Sequence, residues 1–214
     1  MSDANQFVLP RGFRFGAAQA GLKKSGRTDF ALIVADAPAS AAAAFTANRV
    51  TAAPLIIDKE HLRATGGKVR AAAINAGNAN CAAGQAGLDA ARATCEAVAR
   101  HLGCRPEEVF PSSTGVIGVP LPAEKLIAAL PGLTADLGED FEHFQQVARA
   151  ILTTDTVEKI AFARLEVAGP DGESHEVRIS ALCKGAGMIH PQLIPHATML
   201  VYILTDAAME PAVL

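Results

Sequence analysis

The stretch from Lys159 to Cys183 constrains the fold most. It reads KIAFARLEV, then AGPDGES, then HEVRISALC, two β-rich runs on either side of Pro-Asp-Gly. Proline presets φ for the first turn position and glycine supplies the positive φ that closes a tight turn, so the segment predicts a β-hairpin. A hairpin demands an antiparallel strand pair, which rules out a purely parallel sheet. The runs FALIVAD (Phe30–Asp36), APLIID (Ala53–Asp58) and VRAAAIN (Val69–Asn75) are short, apolar and bounded by polar or turn residues, as buried strands are. TMLVYILTD (Thr198–Asp206) is apolar almost without a break and predicts an interior strand.

Helical patterns interleave with these runs. GLDAARATCEAVARHLG repeats apolar residues at three- and four-residue spacing and ends on Gly103, the residue a helix C-terminus prefers. EDFEHFQQVARAILTT (Glu139–Thr154) is amphipathic with acids at its start, the polarity that suits the helix dipole. The fold class is therefore mixed α and β. The chain has 214 residues, half of them apolar, enough to bury a core. With nine Phe, one Tyr and no Trp, that core is expected to rest on Ala, Val, Leu and Ile.

Several function classes fall away. A net charge of −3, with no basic cluster larger than Lys23-Lys24, offers no footprint for nucleic acid. The N-terminal MSDANQFVLPRGFRFGAA lacks the layout of a signal peptide, and no apolar run reaches the roughly 18 residues of a membrane span. A cytoplasmic location is the expectation. Cys81, Cys95, Cys104 and Cys183 never stand in a C-x-x-C pair, so buried thiols are expected rather than a zinc site or disulfides. Cys183, beside Lys184, reads as a small buried apolar residue.

Four stretches could carry chemistry. NAGNANCAAG (Asn75–Gly84) can form a tight loop with inward N–H groups, or simply connect a strand to a helix. PSSTGVIGVPLP (Pro111–Pro122) crowds Ser and Thr around a glycine after the strand-like EVF. Such a turn can aim Thr114 and the Gly115 N–H at a developing oxyanion, or can be an ordinary Gly turn capped by Ser. It lacks the extra glycines and the Lys-Ser/Thr of a phosphate loop. TTDT (Thr153–Thr156) can close the end of a helix or line a site for a zwitterionic substrate.

The fourth stretch, KGAGMIHPQLIPHATML (Lys184–Leu200), places glycines, prolines and histidines before an apolar run. A threonine that starts a strand is ordinarily structural. Cutting the Ala197–Thr198 bond would, however, give the Thr198 hydroxyl an adjacent α-amine, of ordinary pKa about 7.7–8.0, as its base. His190 and His196 then read as loop residues, since the amine fills the role of base.

Taken in order, GFRFGAAQAGLKKSGRTDFALIVAD, NAGNAN, SSTGVIGVPLP, TTDT and KGAGMIHP…ATML resemble the first half of the ornithine acetyltransferase family, the bifunctional glutamate N-acetyltransferases of arginine biosynthesis. The resemblance implies an α/β sandwich of the N-terminal-nucleophile type. It implies a precursor that cleaves itself between Ala197 and Thr198, with 1–197 as α-chain region, 198–214 as the first strand of the β chain, and the rest of β absent. Thr198 would be the nucleophile, Thr114 and Gly115 the oxyanion hole, and Thr153, Lys184 and Thr198 the substrate-binding residues. The implied reaction is ping-pong transfer of acetyl from N2-acetylornithine to glutamate by an α2β2 heterotetramer. It uses no metal or cofactor, with acetyl-coenzyme A an added donor in some members.

One departure stands out. Five residues, Gln192–His196, separate Pro191 from Ala197, where the family carries two. Two other readings remain: a related threonine-nucleophile amidohydrolase or peptidase, which STGVIGVPLP and KGAGMIHP disfavour, and a truncated α-like fragment without turnover.

Overall fold

The computed structural model describes residues 7–169, 172–185 and 199–214. Among the described residues seven strands form two sheets. β1 (Phe13–Ala18), β2 (Phe30–Ser40), β3 (Lys68–Asn78) and β4 (Val109–Val116) stand side by side in that order. The β1–β2 and β2–β3 pairs are antiparallel and β3–β4 is parallel. The second sheet is antiparallel throughout, in the order β5 (Lys159–Ala168), β6 (Ser174–Lys184), β7 (Leu200–Thr205). The expected hairpin is β5–β6, and the expected mixed class holds.

The alternation of β2 organises the core. Phe30, Leu32 and Val34 face one way, against α1 (Ala53–Thr65), α2 (Gly84–Leu102) and α3 (Ala123–Ala135). Ala31 and Ile33 face the other way, against α4 (Phe141–Ala150) and the inner face of the second sheet. A strand covered on both faces needs a continuous apolar run, which is why FALIV has no polar alternate. The second cluster joins the two sheets. Phe15 meets Phe144 edge-on with ring centroids 5.2 Å apart, and Phe144 lies 5.5 Å from Phe162 of β5.

Four sequence expectations need correction. APLIID is the start of helix α1, not a strand: Pro54 sits in the first turn, where its missing N–H costs nothing, and Gly66 ends the helix at φ 62°. Its buried residues Ala53, Pro54, Ile57, Asp58 and His61 recur at helical spacing, a pattern visible only past Asp58. The core does not rest on aliphatics alone, since Phe15, Phe30 and Phe144 are among its largest fully buried side chains. Among the described residues β7 is an edge strand: Leu200, Tyr202 and Leu204 pack inward while Val201 and Ile203 are 45% and 70% exposed. Cys95 is buried, whereas Cys81, Cys104 and Cys183 are half-buried; all four are free thiols.

Candidate functional site

Lys184 is the last residue of β6 and is 4% exposed. Its Nζ donates to the Thr114 hydroxyl at 2.9 Å and the Thr153 hydroxyl at 2.7 Å. Three of the residues singled out in the sequence, on two sheets and a connection, therefore meet at one ammonium. Burial lowers the Lys184 pKa, Lys159 adds to the effect, and the Asp155 carboxylate opposes it.

Thr114 and Gly115 do not lie in a turn after a strand; they lie within β4. The parallel register sets Thr114 opposite Ala76 and Gly115 opposite Gly77, with an irregularity at Asn78. Gly115 has φ 137°, and a Cβ there would fall 2.3 Å from the Gly77 carbonyl carbon. Only glycine fits so close an approach. The neighbouring asparagines hold the shape of the β3 end. Asn75 donates to the Asn78 carbonyl and accepts from Ser113, and the Asn78 amide donates to the carbonyls of Val119 and Pro120. NAGNAN is thus part strand and part bracing for the β4 exit.

Thr153–Thr156 lie past α4, whose C-cap is Ile151, so they do not close the helix. The carbonyl of Ala150 is taken instead by Lys23, whose Nζ donates to it at 2.7 Å and to the Thr28 carbonyl at 2.8 Å. Burial pulls the Lys23 pKa down to about 8; Arg27 and Lys184 add to this and Asp29 opposes it. Lys23 stands in the β1–β2 connection, whose shape is set by buried Asp29. That carboxylate accepts the N–H groups of Ala20, Leu22 and Lys23 at 2.6, 2.6 and 2.7 Å.

Sequence reasoning weighed Lys23 only as surface charge and passed over Asp29. Its one available signal was Thr-Asp directly before a buried strand, a common turn-bracing pair. Ala197, Thr198, His190 and His196 lie outside the described residues. A cleft of about 430 Å³ lined by Arg11, Phe13, Asp140, Arg164 and Arg178 among others includes none of the lysine–threonine cluster. Among the described residues no three metal-ligating side chains converge, and no helix is long and apolar enough to cross a membrane.

The arrangement defines a class: a two-sheet α+β protein in which a buried lysine, held by two threonine hydroxyls, joins the sheets beside a glycine that admits close backbone approach. A profile of the ArgJ family matches residues 14–214, and the chain belongs to that family.

It is 52% identical over 201 residues to the arginine biosynthesis bifunctional protein ArgJ of Thermus thermophilus, covering 93% of this chain and 48% of that protein. To the Geobacter sulfurreducens protein of the same name it is 47% identical over 201 residues, covering 94% and 48%. The chain thus spans about half the length of these curated relatives.

Two solved structures share the fold. The Bacillus halodurans ArgJ chain superposes with a TM-score of 0.77 at 35% identity, over 89% of this chain and 92% of that one. The Mycobacterium tuberculosis ornithine acetyltransferase, solved with ornithine, gives 0.73 at 36% identity, over 88% and 96%. The N-terminal-nucleophile-type sandwich expected from the sequence is the fold observed.

Proposed function

We propose that this chain carries the N-terminal half of a glutamate N-acetyltransferase that takes acetyl from N2-acetylornithine, in arginine biosynthesis. The observation that carries this reading is the Lys184 ammonium between the hydroxyls of Thr114 and Thr153. Hydrolysis of the Ala197–Thr198 bond frees the Thr198 α-amine, which takes the proton of its own hydroxyl as the oxygen attacks the acetyl carbonyl. The tetrahedral oxyanion is met by the Gly115 N–H and the Thr114 hydroxyl. Because Thr114 Oγ accepts from an ammonium, its own O–H is polarised to donate.

Collapse breaks the amide C–N bond, the ammonium of Thr198 returns its proton to the leaving ornithine amine, and an acetyl-threonine ester remains. The glutamate amine attacks that ester and releases the threonine. Lys184 suits the carboxylate that both amino acids present. Acetyl-coenzyme A as an alternative donor, a metal-free reaction and a cytoplasmic location belong to the same reading.

A partner β chain, in an α2β2 assembly, is part of the proposal. The outer face of the second sheet supports it: Leu165, Val167, Val201 and Ile203 are each at least 45% exposed, more apolar surface than an unpartnered sheet face ordinarily shows water. The test combines this chain with the C-terminal half of the Thermus thermophilus relative and follows labelled acetyl from acetylornithine to glutamate. Intact mass reports the split before Thr198. Transfer with cleavage is expected, and a Thr198→Ala variant that transfers as well as the parent would refute the reading.

A further inference from the structure

We propose that Asp155, acting with Lys159, is a positioning residue of this site: it fixes the Gly185 peptide where the chain leaves β6 and holds the Lys184 ammonium against its two threonines. The proposal deepens the reading above, because the groups it positions are the ones that reading uses.

The geometry is a clamp. Asp155 Oδ1 accepts the Gly185 N–H at 2.7 Å and the Lys159 ammonium at 2.5 Å. Lys159 Nζ also donates to the Gly185 carbonyl at 2.8 Å. Both polar backbone groups of one glycine, at φ 152°, are held by two oppositely charged side chains four positions apart. Glycine is the residue with most freedom to lose, and it is locked one position after Lys184.

A turn brace does not account for the carboxylate. The Asp155 side chain is fully buried, and among the described residues its Oδ2 has no hydrogen-bond partner. A neutral asparagine would accept the Gly185 N–H equally well without burying a charge. What only a carboxylate supplies is negative charge, which pairs with the Lys159 ammonium and also acts on Lys184 one residue before the clamped glycine. Burial pushes the Asp155 pKa up. Lys159, the Gly185 N–H and Lys184 outweigh that and hold it below the usual range, so the charge is present at neutral pH. Among the described residues, the charged groups acting on Lys184 are Asp155 from the α4–β5 connection, Lys159 at the start of β5 and Lys23 from the β1–β2 connection. Asp155 is the one anion among them.

The test uses the full chain with isotope-labelled lysine, following the Lys184 titration and the Gly185 amide exchange by NMR. In Asp155→Asn the Gly185 amide should stay protected while Lys184 titrates at lower pH than in the parent. In Lys159→Met, which removes a like charge and frees Asp155 to face Lys184, the titration should move to higher pH. Asp155→Ala should speed Gly185 exchange at least about tenfold, the loss of one hydrogen bond to a charged group.

A merely structural role would loosen and hydrate the site and move Lys184 towards ordinary lysine, upward, in both charge variants. Opposite signs support the proposal; an unchanged or upward titration in Asp155→Asn overturns it. If Asp155→Asn does not fold, Lys159→Met decides by two readouts together: an upward titration with the Gly185 amide still protected supports the proposal, and no upward shift, or one accompanied by faster Gly185 exchange, overturns it. None of these readouts needs cleavage or acetyl transfer, so the proposal and the functional reading fail separately.

Discussion

Asp58 offers a quantitative test of the core. It lies on the buried face of α1, 6% exposed, with Oδ1 lacking a hydrogen-bond partner among the described residues. Burial pushes its carboxyl up to about 8. In the unfolded chain the group titrates near about 3.9. The folded state therefore binds the extra proton between pH 4 and pH 8, and this group's contribution to stability is full below pH 4 and declines as pH rises. The slope is about 1.4 kcal/mol per pH unit, so the parent should lose about 3 kcal/mol from Asp58 alone between pH 5 and pH 7.

Asp58→Asn preserves shape and removes the titration. Other titrating groups are common to both proteins and cancel in the difference. Urea unfolding followed by far-UV circular dichroism at pH 5, 6 and 7 gives that difference directly. The variant should gain on the parent by about 3 kcal/mol over the two units, whatever its stability at pH 5. A flat difference would mean that Asp58 reaches water or a counter-charge, and the reasoning from its burial would fail.

Three further outcomes follow from the site. Gly115→Ala places a Cβ 2.3 Å from the Gly77 carbonyl carbon, so the β3–β4 pairing must shift; we expect a lowered melting temperature together with lost acetyl transfer. Asp29→Asn sets an amide NH2 against backbone donors that a carboxylate now receives, and should cost about 3 kcal/mol, roughly 6–12 °C by calorimetry. On the proposed reading, Lys184 would hold a substrate carboxylate only while protonated, and its pKa is lowered, so the KM for glutamate should rise with pH below the ordinary lysine range. Lys184→Met should raise the KM and abolish that pH dependence.

The fold was legible wherever one periodicity spoke for the whole element. β2 and the β5–β6 hairpin could be read because burial on two faces, or a turn between alternating runs, leaves little choice. α1 was misread because its first six residues look like a strand, and only the spacing through His61 reveals the helix. α3 went unrecognised: Pro131 lies inside it, although Leu126, Leu130 and Leu133 keep helical spacing around the proline. β7 was placed in a sheet interior because an apolar run shows which residues avoid water but not what covers them. Thr114, Thr153 and Lys184 were picked out by motif resemblance. Lys23 carries no local signature, since its Ala150 partner lies far along the chain; Asp155 stood inside TTDT, but its hold on Gly185, 30 residues away, was hidden.

That distribution has a physical origin. A buried ammonium loses its hydration, and two neutral hydroxyls return only part of it. Lys184 is tolerable because a carboxylate acts on it and the end of β4 and two connections, β1–β2 and α4–β5, stand around it. The Phe15–Phe144–Phe162 contacts join the same two sheets that the Lys184–Thr114 hydrogen bond spans. The site does not decorate a finished fold. Lys184 reaches Thr114 from the other sheet, so a substitution that lets the sheets slide is expected to lengthen that hydrogen bond.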